Sequence, residues 1–210
     1  GFDAFWLGIF IKGVIFGIIF LSFTILTGMG GQISLCQAAF AATGAFTAAQ
    51  LVARTGMPIM IAMVIGGVVA GVLGGIIALP ALRLGGIYLA LATLAFAVMF
   101  ENILKPQDWV SGGTRPPKVP RPMILGINFN DNRLFLLLSM VLLALVAVAV
   151  VLVKHGTTGR FLDALRGSET AAQALGISPA HTKVLAFAMS AGIAGFGGGL
   201  LASFEGRVSY

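Results

Sequence analysis

Val184-Leu-Ala-Phe-Ala-Met-Ser-Ala-Gly-Ile-Ala-Gly-Phe-Gly-Gly-Gly-Leu-Leu-Ala-Ser-Phe204 carries no charged side chain and no proline. Folded as a helix, a run of this kind reaches the ~30 Å of a bilayer's hydrocarbon core, which takes about 20 residues to cross. Five more apolar stretches resemble it: Phe5–Thr27, Ile33–Ala53, Pro58–Leu82, Gly86–Leu104 and Leu134–Val153. Around them the 210 residues are 58% hydrophobic and only 10% charged, with a mean hydropathy of +1.02. Soluble domains carry about a quarter charged residues, so an ordinary cytoplasmic enzyme is excluded, and so is a disordered chain. The 29 glycines suit helices that approach closely in lipid, where small residues replace the hydrophobic effect as the packing device. The expectation is an all-α, polytopic membrane helix bundle forming a single domain over residues 1–210.

The connections between these runs are polar and short, with two exceptions. Lys105–Arg133 holds Pro106, Pro116, Pro117, Pro120 and Pro122 out of eight prolines, too many for a helix, and predicts ordered irregular structure. Lys154–Lys183 is a second polar insert. Within the spans, Gly67/Gly71/Gly75, Ala41/Ala45/Ala49 and Ala191/Gly195/Gly199 each place small residues on one helix face. Gly71 is therefore expected to touch another helix backbone. Lys12, inside the first run, reads as a side chain that snorkels to the headgroup region. No basic stretch with a short apolar core and a small-residue cleavage site reads as a signal peptide, and the expectation is a piece of a longer polypeptide.

The net charge is +6, scattered without any block of like charges, and points to topology and lipid contact rather than to nucleic acid. Counting each run as one crossing puts Arg83, Lys154, Arg160, Arg166 and Lys183 on one side. Arg54, Lys105, Arg115, Lys118, Arg121 and Arg133 fall on the other. That division is too even to set orientation.

Catalytic and cofactor patterns are missing. No Gly-Lys dipeptide occurs, so there is no phosphate-binding P-loop. Gly195-Phe-Gly-Gly-Gly199 lacks dinucleotide-binding spacing and reads as packing. His155 and His181 stand apart from cysteine or acidic partners, so no metal site is expected. Cys36 is the single cysteine, which excludes an intrachain disulfide and reads as a buried, inert thiol. Glu101, near the end of a span, reads as interfacial. The carboxylates that carry ions or protons through many secondary transporters are absent from the runs.

The informative insert is 154–183. Arg160–Leu175 has helical periodicity through Phe161, Leu165, Ala172 and Leu175. Gly176 supplies a left-handed stop, and Ser178-Pro179 reads as a cap followed by proline in a first turn. A helix, a glycine turn and another helix at the membrane surface are expected, either as an amphipathic loop or as a docking element for a soluble partner.

Glu169-Thr-Ala-Ala172, with Gly176 four residues later, resembles the EAA loop of ABC-importer permeases. Thr27-Gly-Met-Gly-Gly-Gln-Ile-Ser-Leu-Cys-Gln-Ala-Ala-Phe40 with Thr43-Gly-Ala-Phe46 resembles a signature of branched-chain amino acid permeases. Gly86-Ile-Tyr-Leu-Ala-Leu-Ala-Thr-Leu-Ala-Phe96 and Val110-Ser-Gly-Gly-Thr114 with Val119-Pro-Arg-Pro122 are similar to later motifs of that family. The chain departs from the family pattern at Cys36, Gln37 and Phe46, where glycine, histidine and tyrosine are usual. The resemblance covers essentially the whole chain and is nearest to the M-type subunit.

The resemblance implies a permease of type II-like architecture in the inner membrane, part of an ATP-driven importer for branched-chain or similar amino acids. It implies ABC ATPase subunits, an H-type second permease and an extracytoplasmic substrate-binding protein as partners, with no cofactor and no chemistry in this chain. Glu169, Ala171, Ala172 and Gly176 would form the ATPase-coupling loop within cytoplasmic helices 154–183, and loop 105–133 would face outward. Gln32, Ser34 and Gln37 are the candidates for the translocation path. Import of urea, amides or a monosaccharide is the alternative within the class. A secondary transporter, a channel or a plain membrane anchor is the alternative outside it.

Overall fold

The computed structural model describes residues 4–82, 84, 86–104, 107, 119–124, 127–129 and 131–206. The bundle is helical, as expected. Helix α1 (Ala4–Phe23) continues into a π-helical turn over Thr24–Met29, followed by α2 (Gln37–Thr55), α3 (Ile59–Ala81) and α4 (Ile87–Met99), which ends in a second π-helical turn over Phe100–Leu104. After a two-residue antiparallel ladder of β1 (Met123–Ile124) and β2 (Ile127–Asn128) come α5 (Asn132–His155), α6 (Thr157–Gly167), α7 (Glu169–Ala174) and α8 (Pro179–Glu205).

Four of these segments are long and apolar enough to cross a membrane: Phe5–Met29, Ile59–Pro80, Asn132–His155 and Pro179–Glu205. The Ile33–Ala53 run behaves differently. Its helix starts only at Gln37, and its alanine- and threonine-rich sequence is less apolar because it faces protein, with Ala39, Phe40, Ala48 and Ala49 all buried. The Gly86–Leu104 run yields a short apolar helix, Ile87–Ile103.

Helix α8 is the axis of the molecule and packs against α1, α2 and α3. Its 27 residues span about 40 Å at the helical rise. Among the close approaches is a vertex of three glycines from three helices. A Cβ on Gly44 would overlap the Gly195 carbonyl, one on Gly66 would stand 2.6 Å from the Gly44 carbonyl oxygen, and one on Gly195 would lie 3.2 Å from that of Gly66. Gly71 behaves as expected, with the Ala188 carbonyl oxygen 3.0 Å from where its Cβ would be. A lower apolar cluster unites Ile25, Leu26, Phe187 and Leu162, tying the end of α1 to α6 and α8.

The two ends of α8 carry different connections. At its C-terminal end Val119 donates its backbone N–H to the Gly206 carbonyl at 3.0 Å, and Ser203 Oγ donates to the Pro120 carbonyl at 3.1 Å. Arg121 sits 5.5 Å from the Phe135 ring centroid and 5.7 Å from that of Phe204, while donating to Asn132 Oδ1. So 119–122 packs as ordered irregular structure. Arg83, Lys105 and the stretch 108–118, including the Val110–Thr114 motif and its Arg115 and Lys118, lie outside the described residues. At the N-terminal end of α8 stand α6 and α7. Lys12 forms a 3.1 Å ion pair with Glu205, both partly exposed, so the snorkelling side chain also has a partner.

Arg160–Leu175 is not one helix. Ser168 is extended (φ −159°, ψ 116°) and its Oγ accepts the Ala171 N–H at 3.3 Å, capping α7 just after α6 ends at Gly167. Gly-Ser interrupts the helix because glycine weakens a helix interior and serine caps a new one.

Candidate functional site

Between Met29 and Gln37 the backbone leaves helical geometry, with Ser34 and Cys36 buried and Ile33 and Leu35 exposed. Gly28, Gly30 and Gly31 weaken the helix, and Gly31 takes a left-handed conformation (φ +62°) that a larger residue adopts only at a cost of ~1 kcal/mol or more. The Gln32 N–H donates to the Leu26 carbonyl at 3.1 Å, and Thr27 Oγ1 donates to the Gln32 carbonyl at 3.0 Å. Further on, the Leu35 N–H donates to Thr93 Oγ1 of α4 at 3.0 Å. Irregular backbone at membrane depth survives only where protein or a water-lined cavity satisfies it, and in transporters such breaks lie at binding sites.

Gln37 opens α2 directly after the break and is 2% exposed. Its Nε2 donates to Ser190 Oγ at 2.7 Å, and Ser190 Oγ donates to the Ser22 carbonyl at 2.7 Å. The serine has one proton and gives it to Ser22, so it must accept from the amide, which fixes the amide's orientation. Gln37 Oε1 is then buried without a hydrogen-bond partner, a state that costs about 1–3 kcal/mol. Beside it lies a cavity of about 450 Å³ between α1, α2 and α8, lined by Phe16, Phe20, Gln37, Ala41, Phe46 and Glu205 among others.

Of the three path candidates, Gln37 lines this cavity. Ser34 is buried with its Oγ 3.1 Å from Cys36 Sγ, and Gln32 stands at the start of the break, half exposed. The sequence missed Ser22 and Ser190. A lone serine in an apolar run has no signature, and only the crossing of α1, α2 and α8 brings Ser190 between Gln37 and the Ser22 carbonyl. Cys36 is buried, as expected.

The second region is the surface unit α6–α7. Glu169 opens α7, and both its carboxylate oxygens accept from Lys183 Nζ, at 3.0 and 3.1 Å. Ala171 receives the Ser168 cap, and Ala172 is buried at 2%. Gly176 has φ +82° with open space where a Cβ would stand. Leu175, beside it, is 79% exposed. Ser178 stands at the N-cap of α8 with Pro179 in the first turn, as expected, but its side chain makes no capping hydrogen bond. Among the described residues no three His, Cys, Asp or Glu side chains gather to hold a metal.

A family model described as the permease component of the branched-chain amino acid transport system matches residues 5–210. The chain is 31% identical to the high-affinity branched-chain amino acid transport system permease protein LivM of Escherichia coli K12, and 30% identical to LivM of Salmonella typhimurium. Each alignment covers 93% of this chain and 52% of the relative, so the chain spans about half the length of the curated relatives it matches. No solved structure matches it.

Proposed function

The chain belongs to the branched-chain amino acid transport permease family, and from that premise we propose that it forms the translocation path of an ATP-driven importer for branched-chain or similar amino acids. It is a multi-pass protein of the inner membrane from a transport family, not an enzyme family. ATP hydrolysis then belongs to separate ABC ATPase subunits, which dock on 154–183 through Glu169, Ala171, Ala172 and Gly176. An H-type permease completes the membrane part, and an extracytoplasmic binding protein delivers substrate on the side of 105–133.

The observation that carries this reading is the break at 30–36 and the polar group just beyond it. A bundle that served only as an anchor gains nothing from an unwound segment and a costly orphan acceptor buried between its helices. Gln32, Ser34 and Gln37 border the path, with the Gln37 carbonyl kept for a donor that passes. The exposed Leu175 and the small Ala171 and Ala172 offer a soluble partner a close seat.

The test uses the full-length protein assembled with its partners in proteoliposomes, loaded with ATP and given labelled leucine. Gln37→Met keeps the side-chain length without polar atoms. It removes the orphan acceptor and is expected to melt at or above the parent in detergent, while uptake falls by about tenfold or more. Unchanged uptake in Gln37→Met overturns the role of Gln37. Uptake by the parent that needs no ATP and follows an ion gradient overturns the importer reading.

A further inference from the structure

The surface unit and the broken segment are joined by one side chain. Arg166 Nη1, on the last turn of α6, donates to the Gly28 carbonyl at the end of α1 with a distance of 2.7 Å. The aliphatic part of Arg166 also lies over Gly31, its Cγ 3.2 Å and its Cδ 3.5 Å from where a Cβ on that glycine would be. One helical turn earlier, Leu162 is 1% exposed and packs beside Gly30, its Cδ2 3.6 Å from the same construction. Residues four apart share a helix face, so α6 grips the start of the break at two successive points. A side chain at Gly31 would press on the Arg166 stem, and one at Gly30 would meet the Leu26 carbonyl oxygen at 2.7 Å.

We propose that Arg166 is a positioning residue that transmits movement of the docking helices to the segment 30–36, and through it to Gln37. The proposal rests on the docking reading above and adds the route by which a displacement of α6 reaches the path. An arginine suits the task because its rigid fork holds a carbonyl while its stem packs on the glycine surface. The hydrogen bond sits at the molecular surface, so its value is directional: it fixes where Gly28 goes when α6 moves. Glu169 and Lys183 then have the complementary role of keeping α7 on α8.

The protein contains its own reporter. Cys36 is the single cysteine, 0% exposed, and lies at the far end of the segment that Arg166 holds. In the assembled full-length transporter, labelling of Cys36 by a small maleimide, read on this chain by mass spectrometry, is expected to differ between nucleotide-free and ATP–vanadate states. Arg166→Ala is expected to keep the ATPase bound, since it removes no docking residue, but to abolish that difference and lower uptake by about tenfold. Arg166→Lys retains one donor and is expected to restore part of both. If Arg166→Ala keeps the parent's nucleotide-dependent labelling, the transmission proposal is overturned while docking stands. If the ATPase fails to co-purify even with the parent chain, the docking reading falls and takes this proposal with it.

Discussion

At the scale of single residues, the glycines separate into those that hold backbones together and those that do not. Gly44 has no room for a methyl group against the Gly195 carbonyl, Gly71 has a tight 3.0 Å, and Gly13 has nothing within 4 Å. Gly44→Ala is therefore expected to lower the melting temperature in detergent the most, with Gly71→Ala intermediate. Gly13→Ala should be neutral or stabilising by up to ~1 kcal/mol, the helix-propensity gain alone. Equal melting of the three variants would remove the packing argument. The four-residue spacing of small residues was legible in the sequence, and so was the contact made by Gly71. The vertex itself was not, because Gly44 and Gly66 sit one position away from the repeats that drew attention, and only the crossing angles select them. In the same way Gln37 was readable as a path candidate, whereas its partner Ser190 was hidden among apolar neighbours.

At the scale of elements, the short helices before α8 decide what the surface can do. Gly176 turns the chain with φ +82° in open space, so replacing it costs backbone strain and little local packing. Gly176→Val is expected to insert normally yet to reduce both ATPase co-purification and substrate-stimulated ATP hydrolysis. Glu169→Lys reverses the exposed pair with Lys183, which is worth only about 0–1 kcal/mol, so its effect on docking should be milder. Normal assembly and stimulation in Gly176→Val would leave α7 as an interfacial helix and nothing more. The boundary between α6 and α7 was read too far in the sequence, since Phe161, Leu165, Ala172 and Leu175 keep helical spacing through Ser168. Periodicity records which faces are apolar, and a cap can divide a helix without disturbing it.

At the scale of the whole molecule, the two polar inserts meet opposite ends of α8. Segment 119–122 is pinned at one end through Gly206, Ser203 and Arg121, and α6 and α7 stand at the other. A cysteine introduced at the exposed Pro120, in a Cys36→Ala background, is expected to react with an impermeant label from the periplasmic side only. Labelling from the cytoplasmic side alone would invert the topology. The even spread of basic residues sets no orientation, and Arg121 is engaged structurally, its guanidinium held between Phe135 and Phe204 while it donates to Asn132. The glycine vertex bears on the same scale. Three backbones that touch at one point cannot slide past one another without separating, so α2, α3 and α8 have the mechanical character of a single rigid body. The remaining degrees of freedom belong to elements that meet this body through side chains, as α1 does where Ile18 and Ile19 face Gly197. On the proposed reading, α1 and the segment 30–36 are expected to shift against the glycine-knit trio, whose own spacing stays fixed.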